Sequence, residues 1–109
     1  MTEQLYRYDD IQYAPPLDEF EYPIGEGRLT VRLSRFPILR RTKCGAWITG
    51  PMGEDKFVNL ERHKKFACET VQSAMDSFLA RKQVQRRIHA KAVARAEKAI
   101  AYALGGYVE

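Results

Sequence analysis

The sequence predicts an α+β fold in which a small antiparallel β-meander packs on a long C-terminal α-helix. From Arg28 onward, apolar and polar residues alternate with a period of two, and glycine-rich turn segments follow, as is typical of antiparallel strands. From Val71 to Leu104 there is neither proline nor glycine, which predicts a single helix of about 34 residues.

The first strand of the meander carries three apolar residues on one face, namely Leu29, Val31 and Leu33. They predict a half-buried strand, which Pro37 either interrupts or places at a sheet edge. The next strand contains Trp47, which we expect in the core, and begins at Gly45, which we expect in a turn with positive φ. After the turn sequence GPMGED, the segments KFVNL and RHKKFAC supply further extended chain, so the meander has three to five strands.

Residues 1–26 form an acidic arm rich in tyrosine and proline. Tyr6 and Tyr8 alternate with Arg7 and predict a short edge strand, which the diproline at 15–16 ends. We expect the remainder of the arm to be extended and held against the body by its aromatic side chains. The predicted organisation is therefore one domain, with the arm at 1–26, the antiparallel sheet at 27–68 and the long helix at 69–109.

Charge is distributed unevenly along the 109 residues. The arm has seven acidic residues and one arginine, a net charge of −6, whereas residues 27–68 carry +7 and residues 81–98 carry +6. This distribution permits two opposite interpretations. Either the basic body attracts an anionic partner, or the acidic arm neutralises the body within the molecule or across an oligomer.

The predicted helix begins at the N-cap residue Thr70 and ends at Gly105-Gly106. At 1.5 Å per residue it is about 50 Å long, which is more than a sheet of short strands can cover. Residues 83–87 contain no Gly, Pro or Asn that would turn the chain into a helical hairpin. We therefore expect the second half of the helix to project, with at most a gentle bend, and to need a partner.

Two apolar patches lie on one side of the helix. The first includes Val71, Met75, Phe78 and Leu79, and its large side chains fit against a sheet. The second patch is small and flat, and it consists of Ala92, Val93, Ala96, Ile100 and Ala103. Because small residues let another helix approach closely, this second patch predicts a homo-oligomer.

Basic residues occupy the rest of the helix. Lys82, Arg86 and His89 lie between the two patches, where burial without a partner would be costly. On the other side Arg87, Lys91, Arg95 and Lys98 form a continuous basic stripe. The residues predicted to bind an anionic ligand are Arg40, Arg41, Lys65, Lys82, Arg86, Arg87, His89, Lys91 and Arg95. The alternative is a solvated helix face, partly paired with acids of the arm.

No signature of catalysis, of a cofactor or of a metal site is found. Cys44 and Cys68 lack C-x-x-C spacing, His63 and His89 are isolated, and the adjacent Glu54 and Asp55 fall in a turn. No secretion signal and no apolar run of roughly 18 residues is present. We therefore expect a soluble, cytoplasmic protein that is not an enzyme and needs no cofactor or metal.

Three segments, GAWI at 45–48, KKFAC at 64–68 and SFLARKQVQRRI at 77–88, follow one another in this order. Together they resemble a group of small, uncharacterised bacteriophage accessory proteins, over about residues 28–90. The resemblance implies a non-enzymatic binder in the host cytoplasm that blocks a host protein, sequesters a nucleotide signal or coats nucleic acid.

From the resemblance and the basic surfaces together we expect an accessory protein that acts against host defence by capturing an anionic, nucleotide-like ligand. Two alternatives remain open. The first is a direct inhibitor of a host enzyme, whose acidic arm mimics nucleic acid. The second is a DNA- or RNA-binding protein.

Overall fold

The computed structural model describes residues 3–109, which form β1 (Gln4–Tyr13), β2 (Arg28–Arg41), β3 (Gly45–Thr49), β4 (Asp55–Asn59) and α1 (Val71–Leu104). The strands make one antiparallel sheet in the order β1-β2-β3-β4. The predicted α+β meander with a long C-terminal helix is therefore confirmed. The chain divides into two compact units, a sheet unit that ends at Phe78 and a helix unit, Leu79–Glu109.

Strand β2 is the longest strand and pairs with two partners along its length. Its residues 28–37 pair with β1, and its residues 38–41 pair with β3. Pro37, which has no N–H to donate, lies where the partner changes. The pairing with β3 then shifts register between Ile38 and Arg40. A strand of 14 residues thus accommodates a proline because neither ladder runs through it uninterrupted.

The core of the sheet unit is small. Leu5 on β1 lies directly opposite Phe36 on β2, and Ala46 on β3 lies opposite Val58 on β4. The buried cluster consists of Leu5, Phe36, Ala46, Ile48, Val58 and Ala67. Strand β1, which supplies Leu5, consists of ten residues that lie within the predicted acidic arm at 1–26.

Two predictions about β3 were wrong. Trp47 is only half-buried, because it points away from its core neighbours Ala46 and Ile48 and packs its ring on Phe57 at 5.4 Å between centroids. Gly45 does not adopt positive φ. A Cβ atom at this position would collide with the carbonyl oxygen of Val58, so glycine is required for the close approach of β3 to β4.

The predicted half-buried face of β2 is only partly covered. Leu33 lies opposite Tyr8 and is half-buried, and the ring of Phe78 on α1 packs against Tyr8 at 6.3 Å. Farther along the same face Leu29 and Val31 are exposed. The ribbon of β1 and β2 therefore extends beyond the part of the sheet that the start of α1 covers.

The outer side of β1 is joined by the segment that precedes α1. Tyr6 and Cys68 exchange two backbone hydrogen bonds, at 2.7 and 2.8 Å. This bridge places Phe66 against the core, where its ring packs on that of Phe36 with 5.5 Å between the ring centroids. The predicted extended chain at RHKKFAC is thus limited to an isolated bridge, and it protects the edge of β1 near Tyr6.

The remainder of the arm is held by hydrogen bonds rather than by its aromatic side chains. The carboxylate of Asp18 accepts hydrogen bonds from the backbone N–H groups of Phe20 and Tyr22, at 2.8 and 2.9 Å. Ile24 donates a backbone hydrogen bond to Pro16 at 2.7 Å. Phe20 and Tyr22 are 72% and 68% exposed, so the prediction that aromatics hold this segment down was wrong.

Helix α1 has the predicted length and both predicted ends. At its start the hydroxyl oxygen of Thr70 accepts a hydrogen bond from the backbone N–H of Ser73 at 3.0 Å, as an N-cap does. The first turns bury Ala74 and Phe78, both in the sheet unit. From residue 83 to residue 109 every residue is exposed.

The C-terminal end of α1 is a Schellman motif. Gly106 has a φ of 80° and donates to Ala103, and Tyr107 donates to Tyr102 at 2.9 Å. The rings of Tyr102 and Tyr107 lie 6.0 Å apart, which supplies the apolar contact that accompanies this motif. The helix is therefore closed by its own sequence at residue 104.

The two leucines of residues 1–26 provide a direct test of this organisation. Leu5 is 0% exposed and Leu17 is 59% exposed. We expect Leu5→Ala to lower the free energy of unfolding by about 2–5 kcal/mol, because it opens a cavity in the core. Leu17→Ala, the matched control, should change it by no more than about 0.5 kcal/mol. Equal effects of the two substitutions in urea unfolding would contradict the placement of β1 in the sheet.

Candidate functional site

The predicted ligand-binding residues are divided between the two units. Arg40 and Arg41 lie at the end of β2, and Lys65 lies in the segment before α1, all in the sheet unit. The others lie on α1 in the helix unit, and they are Lys82, Arg86, Arg87, His89, Lys91 and Arg95. The predicted residues therefore fall into two groups, one on each unit.

In the sheet unit, Arg41 is already paired. Its Nε donates to the carboxylate of Glu3 at 2.6 Å, and its Nη1 lies 3.9 Å from a carboxylate oxygen of Glu69. The hydrogen bond with Glu3 raises the pKa of Arg41, while partial desolvation opposes the rise. Arg41 therefore stays cationic, and its charge is paired with Glu3 of the arm and with Glu69, which lies outside the arm.

Arg40 and Lys65 differ from Arg41 in their surroundings. Arg40 lies opposite Trp47 in the β2–β3 pairing and is exposed, whereas Lys65 is half-buried. Among residues 3–109 neither side chain takes part in a salt bridge. Arg40 is thus an exposed cation opposite the half-buried Trp47, whose ring packs on the exposed Phe57.

The charged middle of α1 lies in water rather than in a buried seam. Arg86 and His89 are exposed, and Lys82 is half-buried and donates to the side-chain oxygen of Gln85 at 3.0 Å. No cost of burying unpaired cations therefore arises at Arg86 or His89.

The four residues of the basic stripe, Arg87, Lys91, Arg95 and Lys98, are all exposed. No salt bridge in the described part of the chain includes any of the four, and Lys98 lies 5.5 Å from the ring centroid of Tyr102. At 1.5 Å per residue the stripe is about 16 Å long. It is therefore an uncompensated line of positive charge on a convex surface.

The predicted oligomer patch is also exposed. Ala92, Val93, Ala96, Ile100 and Ala103 make no buried contact within the chain. A shallow, open surface follows Ala92, Ala96 and Ala99 and is bordered by Lys91 and Arg95. The small residues and the basic stripe are therefore adjacent on one helix.

The structure also brings together residues that the sequence analysis did not select. An open cleft of about 710 Å³ lies on the sheet unit and includes Arg7 and Asp9 of β1, Arg32 and Ser34 of β2, and Phe66. Arg7 lies opposite Ser34, and Asp9 lies opposite Arg32. The alternation of residues within each strand was visible in the sequence, but the pairing of β1 with β2 was not, so no signal connected these residues.

Other kinds of site find no support in the described residues. Residues 3–109 contain no group of three or more His, Cys, Asp or Glu side chains that could hold a metal ion. Cys44 and Cys68 are free thiols, the first half-buried and the second buried. The carboxylate of Glu54 accepts a hydrogen bond from the N–H of Met52 at 2.8 Å, which is the role of a turn residue. Over the same residues no helix combines the length and the apolar character of a membrane span.

Comparison with models of protein families, with curated proteins and with solved structures gives no match.

Proposed function

We propose that the protein is a non-catalytic nucleic-acid-binding protein that contacts phosphates through the basic stripe on the second half of α1. The observation that carries this proposal is the exposure of Arg87, Lys91, Arg95 and Lys98 without an ion-pair partner among the described residues. Phosphate contacts by lysine and arginine supply most of the affinity of sequence-independent binding.

The spacing of the stripe has a cost that an anion would remove. Arg87, Lys91 and Arg95 follow one another at four-residue intervals, and like charges at this spacing destabilise a helix by about 0.2–0.5 kcal/mol per pair. A bound polyanion would offset this repulsion, because each cation would then lie near a negative charge.

The shape of the stripe favours an extended ligand over a small one. Four cations spread over about 16 Å of a convex helix cannot surround a single nucleotide, but a duplex of that length carries about ten phosphates. Of the functions that the sequence left open, DNA or RNA binding therefore fits the helix best. The role against a host defence rests on the sequence resemblance and stays a prediction.

Self-association is the second part of the proposal. The exposed patch of Ala92, Val93, Ala96, Ile100 and Ala103 allows two helices to approach closely, because its alanines are small. A symmetric dimer would bury this patch and present two basic stripes to one nucleic acid. The apolar residues of the patch would then be covered, as is usual for contiguous apolar surface.

The stripe is tested by removing two of its charges. We expect Arg87→Gln combined with Arg95→Gln to weaken binding to duplex DNA at least about tenfold, a loss of roughly 1.4 kcal/mol. Glutamine is a good helix former, so the helix should persist. Fluorescence anisotropy with a labelled duplex at fixed salt measures the affinity, and circular dichroism checks the helix.

A charge-matched control distinguishes the stripe from net charge. Arg28→Gln combined with Arg62→Gln removes two exposed charges from the sheet unit and leaves the stripe unchanged. This variant should bind within about threefold of the wild type, because the proposed phosphate contacts come from the stripe and screening by salt weakens the contribution of exposed charges that do not touch the ligand. An equal loss in both double variants, or no loss in the stripe variant, would refute the proposal. Binding to a host protein but to no nucleic acid would favour the inhibitor instead.

The dimer is tested with two alanines of the same helix. Ala96 and Ala94 are both exposed and point in directions about 160° apart around the helix axis. We expect Ala96→Glu to dissociate the oligomer, since a carboxylate at the closest contact would be buried without a partner. Ala94→Glu should leave it intact. Light scattering at micromolar concentration measures the mass, and a monomeric wild type would end this part of the proposal.

A further inference from the structure

The cleft on the sheet unit is a second candidate binding site, and its lining includes no residue of α1. The ribbon of β1 and β2 supplies Arg7, Arg32 and Ser34, and the turn after β3 supplies Gly50 and Pro51. All of these residues belong to the sheet unit. The volume of about 710 Å³ is in the range of small-molecule sites.

One arginine of the cleft is held in place by several contacts. The Nη1 of Arg7 donates to the carbonyl oxygen of Phe66 at 2.7 Å, and its Nε donates to the carboxylate of Asp9 at 3.0 Å. Its guanidinium carbon lies 4.7 Å from the ring centroid of Phe66. The side chain is only 22% exposed. Its contacts with Phe66 and Asp9 therefore fix its orientation before any ligand binds.

The cleft and its border carry more cations than acids. The ammonium of Lys56 also lies on the ring of Phe66, 3.7 Å from its centroid. The charged lining residues are Arg7, Arg32, Arg35 and Asp9, so the lining has a net charge of +2. Asp9 is the lining acid and already accepts the hydrogen bond of Arg7. The cleft therefore has an excess of positive charge that its own residues do not neutralise.

The remaining donors point to a ligand with several acceptor oxygens. Arg32 donates to the phenol oxygen of Tyr13 at 2.9 Å and keeps further N–H groups, since a guanidinium carries five. Arg7 and Arg32 are diagonal neighbours across the β1–β2 pair, a separation that long side chains can bridge. One guanidinium can donate two parallel hydrogen bonds to two oxygens of the same phosphate. A phosphate monoester carries close to two negative charges at pH 7.

We infer that this cleft binds a small phosphorylated ligand, with the phosphate held between Arg7 and Arg32 and within reach of the hydroxyl of Ser34. On this inference, the anionic, nucleotide-like ligand expected from the sequence binds to the sheet unit. The nucleic acid of the proposed function binds to the helix unit. The inference does not depend on the nucleic-acid proposal, because the two sites share no residue.

Isothermal titration of the full chain with adenosine 5′-monophosphate tests the inference. We expect measurable binding of the nucleotide by the wild type and at least a tenfold loss in Arg32→Gln. The matched control is Arg28→Gln, since Arg28 lies on the same strand and also contacts Tyr13, with its guanidinium carbon 4.9 Å from the ring centroid. Arg28→Gln should bind as the wild type does.

Several results would overturn the inference. They are the absence of binding by the wild type, unchanged binding in Arg32→Gln, and an equal loss in Arg28→Gln. If Arg32→Gln fails to fold, amide chemical shifts of the wild type decide instead. The inference requires the shifts on nucleotide addition to be concentrated at Ser34, Gly50 and Phe66, and shifts confined to α1 would contradict it. The double variant Arg87→Gln with Arg95→Gln should bind the nucleotide with wild-type affinity, so failure of either site is recognised separately.

Discussion

The antiparallel pairing of β1 with β2 is the interaction on which the rest of the sheet unit depends. It places Leu5 opposite Phe36 in the core and Arg7 opposite Ser34 in the cleft. It also gives β1 an outer edge on which Cys68 pairs with Tyr6. Phe66 reaches both the core and the cleft through that bridge, so a shift of one residue in this register would exchange the two faces and remove both features.

The two units of the chain are stabilised in different ways. The sheet unit has a buried cluster that includes residues of all four strands, together with Ala67 before the helix. In the helix unit every residue beyond Lys82 is exposed, so its order within the chain depends on helix propensity and on its C-terminal cap. Most helical stability in proteins comes from the tertiary packing of one helix face, and no described residue of this unit beyond Lys82 is buried by such packing. A partner helix and a bound polyanion are two ways to supply that stabilisation.

Features that depend on local sequence were predictable. The helix from residue 71 to residue 104 followed from the absence of proline and glycine, from Thr70 at its start and from Gly106 at its end. The class of the sheet followed from the period of two after Arg28. These signals concern neighbouring residues, and the physical rules for caps and alternation are local as well.

Features that depend on long-range pairing were not predictable. The alternation around Trp47 was visible, but which of its two faces would meet the core depended on the register with β4, and the sequence favoured the wrong face. The cleft contains Arg7 and Arg32, which are 25 residues apart in the sequence. Only the β1–β2 pairing makes them neighbours. The sequence left open whether Arg87, Lys91 and Arg95 form a ligand-binding stripe or a solvated helix face partly paired with acids of the arm, because contacts between the arm and the helix are long-range.

The salt dependence of DNA binding by the wild-type protein tests the central claim most directly. If the four cations of the stripe each neutralise one phosphate, the logarithm of the binding constant should fall against the logarithm of the salt concentration with a slope of about −3 to −4. A dimer that presents both stripes would make the slope steeper. A slope near zero, or no binding at low salt, would contradict the claim that this helix is a phosphate-binding surface.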